Sequence, residues 1–354
     1  MKVGIIGSGA ISAYHIQAYQ KNGITIEAVC DRSEEKARAV AEQNGIPKYY
    51  TDTAALLADK EIDSVSICTP VSSHTPLVLS CLKAGKNVLC EKPPAMSAEE
   101  IAECIKERDK QGLTLMYAFV CHFDSDILSL RALSKEGKFG DIKYGEAMRV
   151  NRCINPGGWF NDKRYTKGGT LFDAAIHEID ALFFILGYPK VRSVRAYLGY
   201  ENGDLHKKLN LTGAAWASQS SGDYASSVET SSTVFATLSD GTPLLFRSSS
   251  ALCTVEEPCR IELSGTKGGA LKADDLPTRA VVLGENGFEE IEYPIPTVQG
   301  DDAMRLHFCD EIAHFAACVK GGVEELATAE MAYDLMRFYD AVYQSAEEGK
   351  EILL

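Results

Sequence analysis

The chain lacks Cys-x-x-Cys pairs, long apolar runs and any excess of positive charge. Its eleven cysteines are an odd number, and Cys30, Cys68, Cys90 and Cys121 sit inside apolar stretches. They read as small buried hydrophobes in a reducing compartment, not as a disulfide framework. Cys253 and Cys259, with His307 and Cys309 far along the chain, match no zinc spacing, so no metal is expected. The absence of a run of about 18 apolar residues excludes a membrane-spanning helix. Met1-Lys2 leads straight into an apolar segment without the regions of a signal peptide, so a cytoplasmic location is expected. Lys and Arg number 36 against 50 Asp and Glu, a net charge of -14 that argues against nucleic acid and anionic membranes as partners. Internal repeats and low-complexity tracts are missing too. What remains is 354 residues, 45% of them hydrophobic and evenly spread, long enough for two domains with sizeable cores.

The first recognisable pattern is the apolar run Val3 to Ile6 followed by Gly7-Ser8-Gly9-Ala10-Ile11-Ser12 and a helical stretch from Ala13 to Lys21. This is a dinucleotide fingerprint with Ser12 in the third small position. Gly7 allows the tight turn, Gly9 lets the backbone approach a pyrophosphate, and Ser12 is small enough for the helix to pack on the strand. Ala10 and Ile11 then open a helix whose amide groups face the phosphates. A second strand, Thr25 to Cys30, ends in Asp31, about 20 residues past the glycines, where a ribose carboxylate belongs. Asp31 suits the two ribose hydroxyls of NAD and would repel the extra phosphate of NADP, although Arg32 beside it is what that phosphate would want. His15, on the first helix, reads as a packing residue.

Strands and helices alternate up to Val120, which indicates a doubly wound parallel sheet. The strand Ser64 to Cys68 ends in Thr69-Pro70, with Ser72, Ser73 and His74 opening the next helix. Such residues serve a cofactor wall and an ordinary helix start equally well. The strand Asn87 to Cys90 runs into Glu91-Lys92-Pro93-Pro94. In an open parallel sheet ligands collect outside the carboxyl ends of the strands, so Lys92 faces a crevice. The prolines stiffen its loop, and Lys92-Pro93 is a candidate cis bond.

The pattern then changes, placing a boundary near residue 121: residues 1–121 form a dinucleotide-binding domain and residues 122–354 a substrate-binding α+β domain with a mostly antiparallel sheet and helices. Its polar loop brings Arg152, Asn155, Trp159, Phe160, Asn161, Asp162, Arg164 and Tyr165 close in sequence, rings and polar groups suited to a sugar or to packing the loop. The run Gly168-Gly169-Thr170-Leu171-Phe172-Asp173-Ala174-Ala175-Ile176-His177-Glu178-Ile179-Asp180 opens an apolar helix expected to reach Leu186. With Thr170 as N-cap, Asp173 and His177 share a helix face. Two readings fit: Thr170 and Asp173 as a capping box with a core histidine, or an acid orienting a histidine that accepts a proton. The stretch Leu205 to Asp223, rich in Ser, Gly and Ala, reads as a long loop.

Taken together, Gly7 to Ser12, Asp31, Thr69-Pro70 with His74, Glu91-Lys92-Pro93, Gly157-Gly158-Trp159-Phe160, Asp173 to Asp180 and the closing Tyr343-Gln344-Ser345-Ala346 with Gly349-Lys350 resemble the Gfo/Idh/MocA family of glucose-fructose oxidoreductase and inositol dehydrogenase. The resemblance spans the whole chain. It implies a Rossmann domain followed by a large open-faced sheet used in homo-oligomerisation. It also implies Lys92, Asp173 and His177 as the catalytic constellation, Glu91 near the cofactor ribose, and NAD as cofactor. One departure stands out: family members often read Arg-Phe where this chain has His122-Phe123. The expected chemistry is oxidation of a ring secondary hydroxyl of a glucose-like sugar or glycoside at C3, with myo-inositol as the alternative. His177 acts as base, Lys92 stabilises the developing oxyanion and Asp173 fixes the geometry. His122, Arg152, Trp159 and Tyr165 are the further expected substrate contacts, and a non-catalytic NAD(H)-dependent sensor is the reading from another class.

Overall fold

The computed structural model describes residues 1–154, 156–201, 226–293 and 301–354. Asn155 and the expected loop Leu205 to Asp223 lie outside the described residues. The chain divides into two compact units: residues 1–123 with 298–336, and residues 124–297 with 337–354. The return of 298–336 to the first unit has no signal in the strand and helix alternation.

The first unit holds a six-stranded parallel sheet in the order β3-β2-β1-β4-β5-β6. Its strands are β1 (Lys2–Ile6), β2 (Thr25–Cys30), β3 (Lys48–Tyr50), β4 (Ser64–Ile67), β5 (Asn87–Glu91) and β6 (Leu115–Ala118). They alternate with α1 (Ala10–Lys21), α2 (Glu34–Asn44), α3 (Thr53–Ala58), α4 (His74–Lys83) and α5 (Ala98–Gln111). Every residue of β4 and β6 is buried, as strands covered on both faces must be; β6 is apolar throughout, while β4 carries Ser64 and Ser66 as well as Val65 and Ile67. Strand order reverses between β1 and β4, the switch point at which such sheets open a crevice for ligands. A later helix, α9 (Asp301–Val319), belongs to this unit and packs on α1. Its Phe308 ring lies 5.3 Å from that of Tyr14 and 5.4 Å from that of His15.

The second unit contains α6 (Ser125–Lys135), α7 (Thr170–Asp173), α8 (Ile176–Leu186) and a nine-stranded sheet in the order β14-β13-β12-β11-β7-β10-β9-β8-β15. The strands are β7 (Ile142–Val150), β8 (Val191–Gly199), β9 (Ser231–Leu238), β10 (Pro243–Ser249), β11 (Cys259–Gly265), β12 (Gly268–Ala273), β13 (Leu276–Gly284), β14 (Gly287–Tyr293) and β15 (Ile352–Leu353). Among the described residues of this sheet only β7 and β10 pair in parallel. Burial alternates along β9, so one face of the sheet is covered and the other open, the period-two pattern of an antiparallel sheet with one solvated side. The covered face carries Val194, Ala196, Val234, Ala236, Leu244 and Phe246, while Tyr197 and Phe235 of the open face are 62% and 49% exposed.

The last long helix, α10 (Ala329–Glu348), starts in the first unit and ends in the second. In the second unit its Phe338 and Tyr339 meet a cluster of rings: Phe338 lies 5.3 Å from Phe183 and 5.2 Å from Phe246, and Tyr339 lies 5.2 Å from Phe172. Phe338 is fully buried. Phe338→Ala is expected to cost about 3–5 kcal/mol, read as a lower urea midpoint, because the rings around it cannot collapse into the space.

Candidate active site

Gly7 has φ +100°, and a Cβ there would run into the Cys68 carbonyl, so the turn after β1 admits only glycine. Gly9 stands at the N-cap of α1 with nothing within 4 Å of where its Cβ would lie. That open space is what a pyrophosphate approaching the Ala10 and Ile11 end of the helix requires. Ser12 is buried, and its hydroxyl donates to the Gly9 carbonyl at 2.7 Å. Asp31, one residue past β2, accepts from the Ser8 amide (3.0 Å), the Ser8 hydroxyl (2.6 Å) and the Ser33 amide (2.9 Å). Burial alone would raise its pKa, but these donors, with Lys36 behind them, hold the carboxyl below the usual range. Asp31 is therefore an anion at the glycine turn, while Arg32 beside it is exposed. These residues fit an adenosine ribose and pyrophosphate. Ser8 joins the set through its bonds to Asp31, a link that motif spacing does not reveal.

At the switch point the Thr69-Pro70 turn is braced by the Ser73 hydroxyl, which donates to Thr69 Oγ1 (2.8 Å) and the Pro70 carbonyl (2.7 Å). His74 is fully buried, with Nε2 2.7 Å from the Thr69 carbonyl and Nδ1 2.9 Å from the Pro93 carbonyl. It thus ties the loop after β4 to the loop after β5 from beneath, and burial lowers its pKa against the pull of those carbonyls. The peptide between Lys92 and Pro93 is cis. Glu91 is buried, with one oxygen 2.8 Å from His15 Nε2 and the other accepting the Lys92 amide at 3.0 Å. His15, read from the sequence as packing, is thus also a polar partner. His122, expected at the substrate, is fully buried in a turn after β6 with Nδ1 2.8 Å from the Leu326 carbonyl.

In the second unit the helix expected from Leu171 to Leu186 is broken. Ala174 and Ala175 both donate to the Thr170 carbonyl, at 3.2 and 2.9 Å, and this widened turn separates α7 from α8. Asp173 ends α7 and His177 lies in the first turn of α8, both half-buried, so they are neighbours around a turn and not on one uninterrupted helical face. The expected capping box is also absent: Gly169 stands at the N-cap, and Thr170 Oγ1 is buried without a hydrogen-bond partner. Glu229, far along the chain, replaces it. Its carboxylate accepts the Leu171 amide at 3.1 Å and the Tyr343 hydroxyl at 3.2 Å. Burial raises the Glu229 pKa against these donors. A side chain at Gly168 would strike Tyr343, and one at Gly169 the Glu229 backbone, which accounts for the Gly-Gly pair. Behind His177, Glu178 forms a bidentate pair with Arg149 of β7 at 2.6 and 2.8 Å, and this neighbour holds the Arg149 pKa well above its ordinary value. The pair fixes the start of α8 on the sheet.

The polar loop is only partly as expected. Trp159 stacks on Phe160 with centroids 3.7 Å apart. Tyr165 is 39% exposed. Arg164 is paired with Asp162, both nitrogen–oxygen contacts of its Nε being under 3 Å. Arg152 is exposed, with its guanidinium on the Thr254 and Val255 carbonyls and beside Glu257. It is engaged by the 254–257 segment.

Residues 1–119 match the family described as "Oxidoreductase family, NAD-binding Rossmann fold", and residues 131–354 match its C-terminal alpha/beta domain. The chain belongs to the Gfo/Idh/MocA oxidoreductase family. It is an NAD-dependent oxidoreductase. It is 33% identical to the D-glucoside 3-dehydrogenase of Escherichia coli K12, over 100% of this chain and 97% of that protein. It is 25% identical to the myo-inositol 2-dehydrogenase of Thermotoga maritima, over 100% of this chain and 98% of that protein. In fold it is similar to levoglucosan dehydrogenase solved with NADH, with a TM-score of 0.83 over 100% of this chain and 98% of that one at 19% identity.

Two outcomes are expected of this oxidoreductase. NAD should bind more tightly than NADP, and Asp31→Ser should narrow the gap in a fluorescence titration of both cofactors; equal binding by the unaltered protein would contradict the role given to Asp31. Glu229→Ala should lose about 2 kcal/mol in urea unfolding, since it strands the Leu171 amide and Tyr343 hydroxyl, whereas Glu229→Gln, which keeps an acceptor, should lose less.

Proposed function

We propose that this oxidoreductase takes two hydrogens from a ring secondary hydroxyl of a glucose-like sugar or glycoside, giving the 3-keto product. The observation that carries the reading is the 33% identity, over the full chain, to a D-glucoside 3-dehydrogenase. It is supported by the retention of Lys92, Asp173 and His177 together, which also favours an enzyme over a non-catalytic NAD(H)-dependent sensor.

Bound NAD supplies the hydride acceptor. The protein must manage the oxygen: as hydride leaves the carbinol carbon, the hydroxyl has to lose its proton in the same event. His177 takes that proton. Lys92 donates a charge-assisted hydrogen bond to the same oxygen as its negative charge develops. Asp173 orients the reacting groups. Trp159 and Tyr165 offer rings to the faces of the sugar, and Arg152 borders the loop that carries them. Myo-inositol, another ring of equatorial hydroxyls, is the second reading, favoured by the likeness to a myo-inositol 2-dehydrogenase. The exposed Tyr197 and Phe235 of the open sheet face support assembly into a homo-oligomer through that face. A cytoplasmic setting suits the free cysteines.

The substrate is tested by comparing kcat/KM for glucose, an aryl glucoside and myo-inositol, with mass spectrometry for loss of two hydrogens. Turnover of inositol with none on either glucoside would refute the first reading. Lys92→Met should leave NAD binding near normal and lower turnover by about 2 to 4 kcal/mol of transition-state stabilisation. His177→Ala should lose about 100-fold or more, and its residual rate should respond differently to pH. Unimpaired turnover in either variant removes that residue from the mechanism.

A further inference from the structure

Glu311, on α9, is fully buried, and neither of its carboxyl oxygens has a hydrogen-bond partner. Its surroundings belong to one small cluster. From α1 come His15 and Tyr19; from β4 come Ser66 and, just beyond it, Cys68; from β5 comes Glu91. Cys121 and His122 lie on the turn packed against α9, with His122 on the Leu326 carbonyl. His15 bridges the cluster, with Nδ1 3.3 Å from the Ser66 hydroxyl and Nε2 2.8 Å from Glu91, and the Ser66 hydroxyl lies 2.7 Å from that of Tyr19. Glu91 in turn receives the amide of Lys92.

Two carboxyl groups share this enclosed space, and His15 stands on one of them, Glu91. Two buried anions side by side would carry both a desolvation cost and mutual repulsion. Glu91 has the donors that stabilise an anion and Glu311 has none. We propose that His15 is a positioning residue for Lys92: within this cluster Glu311 stays a neutral acid, Glu91 remains the anion, and His15 fixes Glu91 against the Lys92 amide. Burial, and then the charge of Glu91, push the Glu311 carboxyl well above the ordinary range. The role assigned to Lys92 rests on the proposed reaction, whereas the neutral state of Glu311 does not.

The state of Glu311 is tested without a substrate. An unfolded glutamate releases its proton near about pH 4.3, and a folded-state pKa raised above that makes stability fall as pH climbs from there toward the folded pKa. Glu311→Gln, neutral at every pH, escapes that loss. Its unfolding midpoint should exceed that of the unaltered protein by a margin that widens between about pH 5 and pH 8. A protonated-carboxyl stretch should also vanish from the infrared spectrum of Glu311→Gln at neutral pH. A margin independent of pH, or no such band, overturns the neutral acid. The positioning role is tested by His15→Phe, expected to lower kcat about tenfold or more with the NAD Kd little changed, and by His15→Gln, which keeps a donor and should restore most of the loss. Equal kcat in the two variants, or a loss carried by the NAD Kd alone, overturns it. Because the midpoint and infrared readouts need no sugar, their failure is distinguishable from failure of the substrate assignment.

Discussion

The carboxylate of Glu91 joins the interior of the first unit to the loop that follows β5. It sits at the last residue of β5, buried, with His15 on one oxygen and the Lys92 amide on the other. A strand end is ordinarily where backbone order relaxes into a loop. Here a carboxylate bonded on both sides carries the rigidity of the sheet one residue further, to Lys92. His74 does the same from below, bridging the Thr69 and Pro93 carbonyls. Between them these two groups hold the chain on either side of Lys92.

The second unit meets the same need by another route. His177 is carried at the start of a helix, and helix starts fray unless their amides are satisfied. Glu229 supplies an acceptor for the Leu171 amide, and Arg149 grips Glu178 immediately after His177. Both supports are buried charges or carboxyls whose donors are provided by distant segments, so the local geometry is set by tertiary structure and not by helix propensity.

That division explains what the sequence displayed. The parallel sheet, its switch point and the glycine turn were legible because periodicity, glycine placement and the Asp31 spacing are local properties. Lys92, Asp173 and His177 stood out as types of residue in suggestive places. The broken helix between Asp173 and His177 was not legible, because the widened turn at Ala174-Ala175 has no glycine or proline to mark it. Nor was the replacement of Thr170 by Glu229 at the helix start, since that contact spans 58 residues. The burial of His122, and its bond to the Leu326 carbonyl 204 residues away, were not legible either.

The order in which the chain visits its two units has a temporal consequence during synthesis. The parallel sheet is complete by residue 118, yet the helix that covers Tyr14 and His15 and brings Glu311 begins only at residue 301. A nascent chain therefore exposes that flank of α1 while most of the second unit is being made. The amino-terminal piece alone would present an uncovered apolar surface and an acid–base cluster missing one of its carboxyls. Cofactor-ready and nearly finished are, for this polypeptide, almost the same moment.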